Sequence, residues 1–180
     1  VLKVEKTSPA GLDGPHQYIM RLVTLTSSGV EPTKQRWYQS FHNFAVESDM
    51  FSRCDLPLLP DPTKPLPLGW YRTVINHPRD LEGGCGPVDD KTVIVAHGVG
   101  ASTALRVAEK HKLHSVYLVA PSRMDGDEAE FAWQAVAENV KAFHGLLKGG
   151  EDEFERTLRG ELGHGKWEVV EAETGWEDCE

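Results

Sequence analysis

The stretch Thr92–Ser122, TVIVAHGVGASTALRVAEKHKLHSVYLVAPS, leaves few folds open to this chain. It begins with an apolar run, Thr92–Ala96. A turn of small residues follows at His97-Gly98-Val99-Gly100. Ala104, Leu105, Val107 and Ala108 then recur at the spacing that gives a helix one buried stripe. A second apolar run, Ser115–Ala120, closes the unit. Strand, sharp turn, helix and strand make a βαβ crossover. Its two strands are expected to lie parallel and to be buried on both faces.

The turn carries the chemical information. Its five positions read Ala96-His97-Gly98-Val99-Gly100. In α/β hydrolases a G-x-S-x-G turn holds the nucleophilic serine on a strained corner between strand and helix. Here the small flanking residues are present and the hydroxyl is not. Gly98 has no side chain with which to form an acyl-enzyme.

The wording of the unit resembles the small serine hydrolases of the YdeN / retinoblastoma-binding-protein-nine family. The matching words are Asp90–His97, Gly100-Ala101 and Ala104–His111. Upstream, Trp37-Tyr38, Leu59-Pro60-Asp61-Pro62 and Trp70 are similar to elements of that family. The likeness runs from Gln17 to Trp176. It implies an α/β-hydrolase-like fold, with a mainly parallel twisted sheet and helices on both faces in three layers. It also implies a Ser-Asp-His triad, whose positions fall on Gly98, Gly149 and Trp176. All three depart from the pattern, so a nucleophile, a base and an orienting acid cannot be assigned there. The expectation is a pseudo-hydrolase with no catalytic residues, no cofactor and no metal. Ser27 and Ser28, in the loop that supplies an oxyanion-hole amide in the family, are read as turn formers. His97 precedes the turn and is read as structural.

Composition narrows the classes. A formal charge of −9 argues against nucleic acid and anionic membrane as partners. No apolar run is long enough to span a bilayer. The cysteines Cys54, Cys85 and Cys179 share no ligand spacing, which points to reduced thiols in an intracellular setting. The glycine-rich loop Arg79–Asp90 lacks the lysine of a phosphate loop. Asp125, Asp127 and Glu128 lack a calcium-loop pattern and are read as a solvated helix start.

The remaining spans follow from periodicity. Strands are expected at Gln17–Thr26, Phe51–Leu59, Asn139–His144 (ending at Gly145) and Lys166–Ala172. Helices are expected at Lys34–Glu47, Gly69–Pro78, around Phe131–Val136, and at Glu151–Leu162. On the first helix Trp37, Phe41, Phe44 and Ala45 are read as one core-facing side. Residues 1–16 are read as an N-terminal extension running over the surface, 17–176 as the domain, and 177–180 as an acidic tail. Leu56–Leu68 carries two P-x-x-P words, read as a loop rather than a ligand motif.

The expected role is an accessory or scaffolding subunit, bound to protein partners in a larger assembly, mitochondrial or otherwise cytoplasmic. Two alternatives stand beside it. One is an esterase or amidase with a displaced nucleophile. The other is a pseudoenzyme whose old cleft binds a small molecule.

Overall fold

Parallel strands need a crossover to return the chain, and here every crossover carries a helix. In the computed structural model, which describes residues 2–5, 20–27, 36–48, 50–76, 84–148 and 152–169, the alternation is unbroken. After β1 (Leu2–Glu5) come β2 (Met20–Leu25), α1 (Arg36–Glu47), β3 (Phe51–Leu56), α2 (Pro67–Ile75) and β4 (Thr92–His97). Then follow α3 (Gly100–Ala108), β5 (Leu113–Val119), α4 (Trp133–Asn139), β6 (Val140–Leu147), α5 (Glu153–Glu161) and β7 (Lys166–Val169).

The sheet order is β1-β3-β2-β4-β5-β6-β7. From β2 to β7 the strands are parallel, and β1 pairs antiparallel with β3. The chain steps outward from β2 to β3, then returns to place β4 on the other side of β2. That reversal makes a topological switch point between β2 and β4. Crevices of open α/β sheets form there, beyond the carboxyl ends of the strands. The turn at Gly98 lies at that place.

The strand interiors sort cleanly by face. Val23, Leu25, Ile94, Ala96, Val116, Leu118 and Phe143 pack with α2–α5 in the main core. Leu22, Cys54, Val93 and Val95 face the other way and meet Ala45 of α1. Among the described residues, one face therefore carries α2–α5 and the other carries α1. Pro67 starts α2 at its first turn, where a missing N–H costs nothing. Trp70 is fully buried behind it, and its indole N–H donates to the Pro60 carbonyl at 2.7 Å.

Several expectations need correction. Leu2–Glu5 belongs to the sheet rather than to a surface-running lead. Strand β6 continues past Gly145 to Leu147, because Gly145 pairs with Leu118 on one side and Trp167 on the other. Phe44 is not on the core side of α1; it is 62% exposed. The buried stripe is Tyr38, His42 and Ala45. Phe44 lies six residues after Tyr38, about 120° round the helix at 3.6 residues per turn. Asp127 is buried rather than solvated, and holds the Arg106 guanidinium at 2.7 Å. The same guanidinium lies 4.0 Å over the Phe131 ring, so this cluster anchors the α3–α4 connection.

One ion cluster was not foreseen. Asp55, fully buried on β3, accepts from Arg21 at 2.8 Å and from Arg53 at 2.8 Å. The two guanidinia also donate to the carbonyls of Cys85, Gly86 and Pro87. They fasten the Cys85–Pro87 segment to β2 and β3.

Candidate functional site at the β4–α3 turn

Gly98 joins β4 to α3 with φ +54°, a left-handed conformation that side chains rarely adopt. Backbone bonds hold it there. Its N–H donates to the Val119 carbonyl at 3.1 Å. Its own carbonyl accepts from Ala101 at 3.1 Å and from Ser122 at 3.0 Å. The turn is thus tied to both α3 and the end of β5. Ala120, just past β5, also has positive φ, +42°. Gly100 is required for a second reason. A Cβ there would stand 2.9 Å from the Thr26 carbonyl oxygen and 3.1 Å from that of Leu25. The small residues at this turn let α3 press against β2.

The β2–β4 register brings Leu25 opposite Ala96. Two residues further along, Ser27 arrives beside Gly98. Its side chain fills the space over the glycine. A Cβ built on Gly98 would overlap Ser27 Oγ, and would stand 2.8 Å from Ser27 Cβ and 3.6 Å from its Cα. The space that a side chain at position 98 would need is therefore occupied.

The amide of Ser27 is also engaged. Its N–H donates to the Tyr38 hydroxyl at 3.0 Å. That hydroxyl lies 2.7 Å from His97 Nδ1, and Tyr38 is wholly buried. With the oxygen accepting from Ser27, the phenol proton faces the imidazole nitrogen. Burial holds His97 neutral, with its pKa lowered to about 4, and the Lys148 charge pushes the same way. A neutral ring with Nδ1 as acceptor completes the chain Ser27 N–H, Tyr38 O–H, His97. Trp37 packs edge-on to the His97 ring at 5.2 Å between centroids.

Of the residues singled out from sequence, Gly98 and His97 come together here. His97 is 7% exposed, and its Nδ1 faces the Tyr38 hydroxyl. Gly149 and Trp176 lie outside the described residues, as does Ser28. Ser27 and Tyr38 were missed as site residues. Ser27 stands 71 positions before Gly98, and no local pattern reports such a contact. Tyr38 carried a signal of a kind, since it belongs to the Trp37-Tyr38 word. Among the described residues no hydrogen bond joins Ser27 Oγ to a base, and no group of His, Cys, Asp and Glu is gathered to hold a metal ion.

No family model matches the sequence. No curated protein matches it either. Among solved structures, the ydeN gene product from B. subtilis is similar, with a TM-score of 0.68 and 16% identity over 84% of this chain and 85% of that one. At that identity the likeness speaks for the fold alone, and the fold of this chain is that of an α/β hydrolase.

Proposed function

We propose that this chain is a catalytically inactive hydrolase-fold protein, serving as an accessory or scaffolding subunit of a larger protein assembly, with a mitochondrial complex as the first setting to examine. The observation that carries the reading is Ser27. At the turn where a hydrolase seats its nucleophile, Gly98 offers no hydroxyl, and the Ser27 side chain takes up the space above it. The amide of Ser27, in the loop that supplies an oxyanion donor in the family the sequence resembles, is spent on Tyr38. A pre-organised donor aimed at developing charge is the largest single contribution in acyl transfer, and one already bonded cannot supply it. The imidazole beside the turn faces Tyr38.

A fold maintained around such a turn serves through its surface. Leu58, Leu66 and Leu68 are exposed around α2, and Phe44, Met50 and Tyr117 on the opposite side. Exposed apolar clusters of this kind mark association sites. Among the described residues no helix is long and apolar enough to cross a membrane, so association through protein partners is the economical reading.

The displaced-nucleophile reading has one observation in its favour: Ser27 puts a hydroxyl beside the turn. Among the described residues no base is bonded to that hydroxyl, which sets this reading second. The test is the state of the protein in its native source. Purification under mild conditions is expected to recover it in an assembly well above 20.0 kDa. Recovery as a lone chain at that mass, with ester turnover, would contradict the proposal.

A further inference from the structure

The segment that leads into α2 holds its leucines outward. Leu58, Leu66 and Leu68 are 52%, 65% and 58% exposed. Pro57, Pro60, Pro62, Pro65 and Pro67 stand between them, and each fixes its own φ. Hydrogen bonds pin the same segment. The Lys64 amide donates to the Asp61 carbonyl at 3.0 Å, and Trp70 donates to Leu66 through its amide at 3.0 Å and to Pro60 through its indole at 2.7 Å. Side chains presented this rigidly lose little further freedom when a partner covers them. Leu68 also walls a shallow groove of about 180 Å³ between α2 and α3, shared with Tyr71, Arg106, Glu109 and Lys110. Small-molecule sites run to about 300–1,000 Å³. This groove suits a single inserted side chain of a protein better than a metabolite.

The charges beside these leucines select the partner. Lys64, Arg72 and Lys110 are all exposed. Arg72 stands four residues after Leu68, on the same side of α2. Lys110 lies 5.1 Å over the Tyr71 ring, at the groove. Among the described residues no carboxylate lies within ion-pair distance of any of the three. The acid in the groove is already engaged: Glu109 Oε1 accepts from Arg106 at 2.7 Å and from the Ala132 amide at 2.9 Å. From Pro57 to Asn76 the chain has one acid, Asp61, against two bases, whereas over its whole length it has 28 acids against 19 lysines and arginines. Unpaired cations around exposed leucines, on an otherwise acidic protein, make this patch complementary to negative charge.

We propose that this α2–α3 patch binds an acidic amphipathic helix of a protein partner. The inference rests on the accessory reading and names the surface and the class of partner for it. The apolar side of the helix covers Leu66 and Leu68 and seats one side chain in the groove against Tyr71. Its carboxylates meet Lys64, Arg72 and Lys110. Helices that lie in grooves do so by apolar anchors at i, i+3 or i+4, and i+7, with charge along the rim. An anionic bilayer also attracts leucines and lysines, but the formal charge of −9 opposes its approach. The recess beside Leu68 fits an inserted side chain rather than a flat surface.

Fluorescence anisotropy tests it, with the full chain titrated into a labelled synthetic peptide in about 0.05 M salt. The peptide has leucine at i, i+4, i+7 and i+11 and glutamate at most other positions. Micromolar binding is expected, at least tenfold weaker for the same peptide with lysine in place of glutamate. Leu68→Ser and Lys110→Glu each alter an exposed side chain, and each is expected to weaken binding at least tenfold with unchanged far-ultraviolet circular dichroism. Lys110→Glu exchanges one charged surface group for another, so it reports on the patch even if Leu68→Ser folds poorly. Phe44→Ser, on the opposite face, is expected to leave binding unchanged. No binding at about 100 µM overturns the proposal. So do equal affinity for the two peptides, binding that survives Leu68→Ser together with Lys110→Glu, and binding to phosphatidylserine vesicles in place of the peptide. A native assembly that withstands both substitutions would end this inference and leave the accessory reading standing. Peptide binding by a chain that is otherwise a lone esterase would do the reverse.

Discussion

Restoring a hydroxyl by Gly98→Ser is predicted to harm the protein without waking it. Two costs can be read from the structure. The backbone at position 98 has φ +54°, and a residue with a Cβ costs about 1–2 kcal/mol there. The new Cβ would also stand 2.8 Å from Ser27 Cβ and overlap its Oγ. Carbon atoms in good contact are about 3.5–4.0 Å apart, so Ser27 must retreat by nearly an ångström. Overpacking of that kind costs about 1–3 kcal/mol. The sum is roughly 2–5 kcal/mol. With a urea slope of about 2 kcal/mol/M, the unfolding midpoint should fall by about 1–2.5 M. A second substitution isolates the overlap. Ser27→Gly on the Gly98→Ser background should recover about 1–3 kcal/mol, leaving the backbone cost, and the double-mutant cycle should show that coupling. Neither variant should hydrolyse an activated ester above buffer, because the oxyanion amide and the base are not supplied by either change. A Gly98→Ser protein as stable as the parent, or a cycle with no coupling, would refute the idea that Ser27 closes this turn.

Three further outcomes follow from the same geometry. Tyr38→Phe strips the acceptor from the Ser27 amide and the donor from His97 Nδ1, and at about 1–3 kcal/mol for each group left unpaired should lower stability by roughly 2–6 kcal/mol in urea unfolding. Stability should fall with pH between about 6.5 and 4. The folded chain holds His97 neutral down to about 4 while the unfolded chain takes up the proton near 6.5, a gap that corresponds to about 3 kcal/mol, present in full above 6.5 and gone below 4. Burial lowers His42 as well, so His97→Gln should flatten the profile in part and His97→Gln with His42→Gln further; a profile unchanged by both would contradict the assignment. Asp55→Ala leaves two guanidinia without their shared carboxylate and should cost about 3–5 kcal/mol by thermal or urea unfolding, against little for Asp90→Ala, whose partner Lys141 is exposed.

Much of the fold was legible because its signals are local. The βαβ unit from Thr92 announces itself by period and by the glycines of its turn, and the other parallel strands by short apolar runs between helical stretches. Strand β1 has the alternation Leu2-Lys3-Val4-Glu5, but four residues are too few to tell a strand from chance. On α1 the aromatic density misled at one position: Trp37, Phe41 and Ala45 pack inward as expected, Phe44 turns outward, and the helical period buries Tyr38 and His42 instead. The pairing of Asp55 with two arginines, and of Asp127 with Arg106, joins residues from separate elements, and charge in a sequence does not say which partner it will find. The candidate site divides in the same way. Gly98 was visible as a turn glycine because a five-residue pattern surrounds it. That a serine from the loop after β2 fills the space above it depends on the β2–β4 register, which becomes apparent only once the sheet is assembled.

The central proposal is that the turn at Gly98 carries no working nucleophile. Intact-protein mass spectrometry after saturating treatment with a serine-directed fluorophosphonate probe tests it most directly. The account predicts the mass of the untreated chain, with no adduct. A single covalent adduct, mapped to Ser27 or to any other serine, would contradict it.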